Sequence, residues 1–97
     1  MSAGRICEIV NIKGLHARAA AKFVRAVAAY TAQVTVVKLG QNGEEDSSPV
    51  AGSSILGLMM LGADKGSKLQ LSAEGAQAEE AVAAIAELIA TRFGEPE

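Results

Sequence analysis

The only histidine of the sequence, His16, stands two residues before an arginine in the stretch Gly14-Leu15-His16-Ala17-Arg18. An imidazole nitrogen that is unprotonated near neutral pH is a nucleophile. A guanidinium such as that of Arg18 can hold phosphate oxygens through two parallel hydrogen bonds. The pair therefore indicates a histidine that accepts a phosphoryl group. A single histidine in a turn is also a common surface residue, so these five residues alone leave both interpretations open.

The residues that follow His16 predict the helix that would position it. From Ala17 to about Tyr30, apolar residues recur at the three- and four-residue spacings of one buried stripe. This places His16 at the N-cap. No Ser, Thr, Asp or Asn occupies positions 13–17, so we expect the first backbone N–H groups to lack a side-chain cap and to attract an anion. The stripe comprises Ala20, Phe23, Val24, Val27 and Ala28.

Length and composition predict one small domain. The 97 residues are 49% apolar, enough for a single modest core within about residues 5–93. No apolar run could span a membrane and the first residues lack a signal-peptide core, so we expect a cytoplasmic protein without membrane insertion. A lone cysteine, Cys7, excludes an internal disulfide and is expected in the core. We expect neither a metal nor a cofactor.

The charge distribution argues against nucleic acid as a partner. The formal net charge is −2 and the pI is about 5.4, whereas phosphate neutralisation needs a clustered excess of Lys and Arg. Positive charge is nevertheless local, because Arg18, Lys22 and Arg25 recur at helical spacing beside the candidate site. This stripe is either a solvated helix face or a docking surface for acidic partners.

The remaining chain alternates between strand and helix patterns. Strands are predicted at residues 5–12, 33–39 and 68–73, with a weak edge strand near 48–51 after the polar loop 40–49. A final helix is predicted over about 76–92, with Arg92 near its end, where the helix dipole favours a positive charge. Residues 94–97 are predicted to be a frayed tail. The order predicts a two-layer α+β fold, with a mostly antiparallel four-stranded sheet and helices on one face. Periodicity alone leaves a ferredoxin-like topology open. The inward residues are expected to be Leu69, Leu71 and Ala73 of the last strand and Ala78, Ala81, Val82, Ile85, Leu88 and Ile89 of the last helix.

A second short helix is predicted where Ser53-Ser54 precedes the apolar run 55–61, which ends at Gly62. Serine caps a helix N-terminus, although two adjacent serines leave the capping residue ambiguous. The apolar side chains of the run are too many to face one core together. The helix is therefore either a buried short helix or an apolar docking surface.

The two linked motifs, Gly14-Leu15-His16-Ala17-Arg18 and Ser54 to Gly62 followed by Ala63-Asp64-Lys65-Gly66, resemble those of the HPr family. Members of this family are the histidine-containing phosphocarriers of the bacterial phosphotransferase system. The resemblance covers almost the whole chain and implies an open-faced βαββαβα sandwich, in agreement with the element order.

The resemblance implies that His16 accepts a phosphoryl group on its δ-nitrogen from phosphorylated enzyme I and passes it to an enzyme IIA-type protein. Arg18 and the backbone N–H of Ala17 would stabilise the phosphate. Such a monomeric carrier is a substrate of other enzymes, and the sequence lacks a second acid–base histidine, a Ser-His-Asp set and a nucleotide-binding glycine loop. The alternative is a regulatory binding protein of the same fold that acts through Ser54 and the 55–61 helix.

Further residues take their expected roles from the same resemblance. Ile55, Leu56 and Met59 match the apolar docking surface, and Ser54 matches the serine that a dedicated HPr kinase phosphorylates in many members. The chain departs from the family pattern at Ala19, where proline is usual, at Ser53, where lysine is common, and in the longer, more acidic loop 40–48. These residues do not distinguish sugar uptake from a nitrogen-related regulatory branch.

Overall fold

The computed structural model describes residues 1–97 and contains one four-stranded antiparallel sheet with three α-helices. The two-layer α+β fold predicted from the element order is confirmed. The strands are β1 (Ser2–Glu8), β2 (Gln33–Leu39), β3 (Val50–Ala51) and β4 (Lys68–Glu74). The helices are α1 (Ala17–Ala28), α2 (Ile55–Met60) and α3 (Ala78–Ala90), followed by one 3₁₀ turn at Arg92–Gly94.

The strands lie in the order β1-β4-β2-β3. The central strand β4 pairs with β1 on one side and β2 on the other, so that Leu71 lies opposite both Arg5 and Val36. The edge strand β3 has only two residues, as expected for a strand that begins directly after Pro49. The bounds of β2 agree with the predicted 33–39.

The core lies between the sheet and the helices. Alternate residues of β4 are buried, as predicted, and they pack against the apolar stripes of α1 and α3. Leu88 is only half-buried, whereas Ala86 lies in the buried part of α3. The largest fully buried apolar side chains are Phe23, Phe93, Ile9, Leu58, Leu69, Leu71, Ile85, Ile89 and Val36.

The first strand overlaps the predicted range 5–12 only at residues 5–8, so both predicted bounds are wrong. It begins at Ser2 and ends at Glu8, because Glu8 pairs with Lys68, the first residue of β4. The chain beyond Glu8 has no neighbouring strand to continue the ladder. Instead Ile9 exchanges backbone hydrogen bonds with Ser67 and Gly66, and the chain then turns toward α1.

Both long helices are shorter than predicted. Helix α1 ends at Ala28, whose side chain is exposed, while Ala19 joins the buried stripe instead. Helix α3 ends at Ala90 because Arg92 and Phe93 adopt left-handed conformations with φ of 60° and 54°. Arg92 therefore lies outside the helix, and its guanidinium donates to the carbonyl of Pro96 at 3.0 Å. No helix is both long enough and apolar enough to cross a membrane.

The prediction of a frayed tail is wrong. Residues 92–97, called here the 92–97 segment, fold back over the start of α1. Phe93 is 1% exposed and anchors the segment in the core. The backbone N–H of Ile12 donates to the main-chain oxygen of Glu97 at 3.1 Å. The segment thereby joins the loop that carries His16.

Candidate functional site

The loop before α1 is held against the turn that follows α2. Gly14 has a φ of 67°, and a Cβ atom there would lie 2.4 Å from the carbonyl oxygen of Ala63. The backbone N–H of Leu15 donates to that same oxygen at 2.9 Å, and the Leu15 side chain is buried. Only glycine combines this conformation with this close approach. The contact joins the two motifs singled out in the sequence and fixes the entry of the chain into α1.

His16 is the N-cap of α1, as predicted, with extended backbone (φ −77°, ψ −178°). Its Nδ1 accepts a hydrogen bond from the backbone N–H of Arg18 at 3.3 Å. The expectation of a helix start without a side-chain cap is corrected, because the imidazole itself takes this role. The N–H groups of Ala17 and Ala19 have no acceptor within the protein. The Nδ1 lone pair therefore points to the N-terminus of α1, where two backbone N–H groups remain free to donate.

The other ring nitrogen of His16 is bound by a residue that the sequence analysis missed. Nε2 contacts the Oε2 atom of Glu95, which lies 79 residues later in the chain. The side chains of His16 and Glu95 are 26% and 13% exposed, respectively. A glycine after an apolar residue, as in Phe93-Gly94, could have indicated a turn at this end of the chain. No local pattern identifies the partner of a carboxylate so distant in sequence.

Asn11, which the sequence analysis also missed, completes the group. Its side chain is fully buried, and its Nδ2 donates to the carbonyl of Gly14 at 2.8 Å and to Oε1 of Glu95 at 3.0 Å. Both partners are acceptors, so the amide orientation is determined by the network. The Oδ1 atom has no hydrogen-bond partner. An unpaired buried oxygen costs roughly 1–3 kcal/mol, which the two donated hydrogen bonds must offset.

The environment of Glu95 favours its charged form. Partial burial acts to raise the pKa of this carboxyl, but hydrogen bonds from His16 and Asn11, together with nearby positive charge at His16 and Lys13, outweigh burial and hold the pKa below its ordinary value of 4.5. A carboxyl whose pKa is lower in the folded protein than in the unfolded chain stabilises the fold at pH values above its unfolded pKa. This contribution is therefore complete above about pH 4.5 and is lost as the pH falls through the lower pKa of the folded protein.

The basic residues near His16 take different positions. Arg18 is exposed, makes no side-chain hydrogen bond, and lines an open cavity together with Lys13 and Glu95. Arg25 is exposed on the same helix. Lys22 is half-buried, and its Nζ donates to the carbonyl of Phe93 at 2.5 Å. Of the three predicted docking cations, Lys22 is thus already bonded within the protein, whereas Arg18 and Arg25 face solvent.

Ser54 is the N-cap of the short helix α2, which resolves the ambiguity between the two serines. The Ser54 Oγ accepts a hydrogen bond from the backbone N–H of Gly57 at 3.0 Å. Leu58 is fully buried and anchors the helix. Four other apolar side chains are exposed, and we call them the α2 surface: Ile55, Leu56, Met59 and Met60, with exposed fractions of 42%, 68%, 41% and 76%.

The cap of α2 makes a testable contribution to stability. Replacing Ser54 with alanine removes the acceptor for the Gly57 N–H, so we expect a loss of about 1 kcal/mol, or roughly 4–8 °C in Tm. The neighbouring Ser53 is exposed and its side chain makes no hydrogen bond, which makes Ser53→Ala the matched control. Thermal unfolding followed by circular dichroism measures both. Equal Tm values for the two variants would contradict the assignment of Ser54 as the cap.

Comparison with known proteins gives one consistent result. Residues 4–91 match the family model PTS-HPr, described as the phosphorylation site of the HPr component of the phosphotransferase system. The chain is 52% identical over 89 residues to the phosphocarrier protein HPr of Pseudomonas aeruginosa, and the alignment covers 92% of each chain.

Solved structures show the same similarity. The crystal structure of HPr-C-His from Thermoanaerobacter tengcongensis superposes with a TM-score of 0.84 at 40% identity, covering 98% of this chain and 99% of the other. The crystal structure of an HPr dimer from the same organism superposes with a TM-score of 0.69 at 43% identity, covering 91% and 93%.

Proposed function

This chain belongs to the HPr family of phosphocarrier proteins, and we propose that it accepts a phosphoryl group from phosphorylated enzyme I on Nδ1 of His16 and passes it to an enzyme IIA-type protein. The environment of Nδ1 supports this assignment most directly. Nε2 contacts Glu95, whereas Nδ1 faces only the weak hydrogen bond from Arg18 N–H. Nδ1 is thus the unprotonated nitrogen, and its lone pair can attack phosphorus once the single 3.3 Å hydrogen bond from Arg18 N–H is broken.

The surroundings of Nδ1 suit a phosphate that must be held and then released. The free N–H groups of Ala17 and Ala19 and the positive end of α1 favour a dianion there. The Arg18 guanidinium lies in solvent and can reach the phosphate oxygens without leaving an existing partner. These hydrogen-bond donors are in place before phosphorylation, but they are also solvated, so they stabilise the phosphorylated state only moderately. Moderate stabilisation is what a carrier needs in order to pass the phosphoryl group on.

The α2 surface supports docking of both transfer partners. Ile55, Leu56 and Met59 are exposed apolar residues on a helix that packs beside α1, whose N-terminus carries the site. Arg18 and Arg25 add positive charge that favours encounter with acidic partner surfaces. The carrier would act as a monomer in the cytoplasm and would need neither metal nor cofactor.

Ser54 is the proposed target of an HPr serine kinase. A phosphate on its Oγ would place negative charge beside the α2 surface, where it opposes docking of an acidic partner.

The second candidate function also involves Ser54: a regulatory binding protein that acts through this residue and the 55–61 helix. The four exposed apolar side chains favour binding. A protein that only binds has no need of the arrangement around Nδ1, so we favour the carrier.

Incubation of the purified protein with enzyme I and phosphoenolpyruvate tests the proposal. We expect one added phosphate, seen as a gain of about 80 mass units that is lost in acid, since phosphoramidates of histidine hydrolyse at low pH. Transfer of this phosphate to an enzyme IIA-type protein would follow on addition of that acceptor. Absence of the mass gain with several enzyme I proteins would favour the regulatory binding protein.

The docking role of the α2 surface has its own test. Replacing Met59 with glutamate adds a charge to an exposed apolar contact, and we expect the affinity for enzyme I to fall at least about tenfold. Ile6→Glu makes the same change at a 58% exposed residue of β1, which forms the edge of the sheet opposite to β3, the strand that α2 contacts, and should leave affinity unchanged. Titration calorimetry measures both. Equal affinities would show that α2 does not contact the partner.

A further inference from the structure

We propose that Glu95 is a positioning residue for phosphoryl transfer: its carboxylate keeps the proton of the neutral imidazole on Nε2, leaves the lone pair on Nδ1, and faces the positive charge that the ring gains on phosphorylation. This inference rests on the proposed function for its kinetic consequence. The arrangement of hydrogen-bond donors and acceptors supports it independently.

The polarity of the contact follows from the ionised state of Glu95, which the hydrogen bond from Asn11 helps to stabilise. The Asn11 Nδ2 already donates to the Gly14 carbonyl and to Oε1 of Glu95, so the carboxylate receives a hydrogen bond from the buried side. The second oxygen, Oε2, faces Nε2 of His16. An ionised carboxylate can only accept, so Nε2 must carry the hydrogen. On the other side of the ring, Arg18 N–H can only donate, so Nδ1 must be the acceptor. Both neighbours therefore select the same tautomer.

The position of Glu95 is held by contacts throughout the 92–97 segment. Phe93 is buried in the core, its carbonyl accepts from Lys22 Nζ, and the Arg92 guanidinium donates to the Pro96 carbonyl. Arg92 and Phe93 both have positive φ, an unfavourable conformation for residues with side chains. Such conformations persist where the surrounding structure imposes them. Here they direct Glu95 back toward His16.

The transfer step balances with Glu95 in this role. The Nδ1 lone pair forms the new N–P bond while the bond from phosphorus to the donor breaks, and its electron pair leaves with the donor. The proton on Nε2 stays in place, so the phosphorylated ring carries one positive charge. The Glu95 carboxylate is next to that proton before and after the step. It therefore needs no reorganisation as the charge develops.

Two substitutions at Glu95 separate hydrogen-bond polarity from packing. Glu95→Ala removes the contact. Glu95→Gln keeps the shape, but the Asn11 Nδ2 retains the amide oxygen as its acceptor, so the amide NH₂ faces Nε2 and donates to it. The isosteric variant should therefore favour a proton on Nδ1 and be more damaging than truncation. Glu97→Gln makes the same chemical change in the same segment at an exposed side chain with no hydrogen bond, and is the matched control.

The first measurement is ¹⁵N NMR of the His16 ring in the unphosphorylated protein at alkaline pH, which does not depend on phosphoryl transfer. We expect the wild type and Glu97→Gln to show a protonated Nε2 and an unprotonated Nδ1. In Glu95→Ala the minor tautomer should increase, and in Glu95→Gln it should increase further. Ring shifts in Glu95→Gln that match the wild type would overturn the proposal.

The second measurement is the rate of phosphoryl acceptance from enzyme I. We expect the rate to fall about tenfold in Glu95→Gln and by less in Glu95→Ala, with both variants folded by circular dichroism. A changed tautomer with wild-type rates in both variants would also overturn the positioning role. Failure of the proposed function would be visible separately, because the wild-type protein itself would then accept no phosphate.

Discussion

Replacing His16 with alanine is expected to abolish phosphoryl acceptance while the protein remains folded. His16 is the only histidine of the chain, and no other nucleophile lies at the N-terminus of α1. We expect the acid-labile gain of about 80 mass units to disappear completely in an assay with enzyme I and phosphoenolpyruvate. The variant also loses the N-cap acceptor for Arg18 N–H, so its stability should fall by about 1 kcal/mol.

A second variant, His16→Asn, separates the cap from the chemistry. An asparagine oxygen at this N-cap can accept from the Arg18 N–H, so most of the stability should return. The amide cannot form a phosphohistidine, so acceptance should stay absent. Intact mass and thermal unfolding measure the two effects. An acid-labile phosphate on either variant would place the acceptor elsewhere in the chain.

Replacing Gly14 with alanine is expected to destabilise the protein more than any other single-methyl addition at a glycine near the site. The left-handed φ of 67° costs a residue with a side chain about 1 kcal/mol. The new Cβ would also meet the Ala63 carbonyl oxygen at 2.4 Å, which is backbone and cannot rotate away. Displacing it should add about 2 kcal/mol, since overpacking costs typically 1–3 kcal/mol.

Gly62→Ala is the control for the conformational cost of Gly14→Ala. Gly62 has nearly the same φ, 64°, but a Cβ there meets nothing within 4 Å. We expect it to lose only about 1 kcal/mol. Urea unfolding gives both free energies, and the difference of about 2 kcal/mol measures the clash. Equal losses would show that the loop moves freely away from Ala63.

The parts of the site formed by neighbours in sequence could be predicted from the sequence. The apolar spacing after Ala17 placed His16 at the N-cap of α1, and the alternation of residues 33–39 gave the bounds of β2. The run after Ser54 contained too many apolar residues for one buried face, and the α2 surface is exposed. Periodicity reports which face of an element is buried, and these predictions require nothing more.

The parts formed by residues distant in sequence could not be predicted. The end of β1 depends on where β4 begins, and alternation in residues 5–12 contains no information about β4. Glu95 reaches His16 only because Arg92 and Phe93 reverse the chain after α3. Neither residue type is typical of a left-handed turn. Asn11 lay inside the pattern assigned to a strand, so its burial beneath the site was not foreseen.

The position of β4 between β1 and β2 has a consequence for how the chain folds. The two partners of β4 do not pair with each other, and Glu8 and Lys68, which pair, are 60 residues apart (68 − 8). Strand β1 therefore has no partner strand until β4 has been reached, nearly three-quarters of the way along the chain, and pairing the two strands closes a long loop. Folding that depends on such distant contacts is slow for a domain of this size. During synthesis, the loop that presents His16 should become protected from proteolysis only after Glu74 has emerged, together with the rest of the sheet.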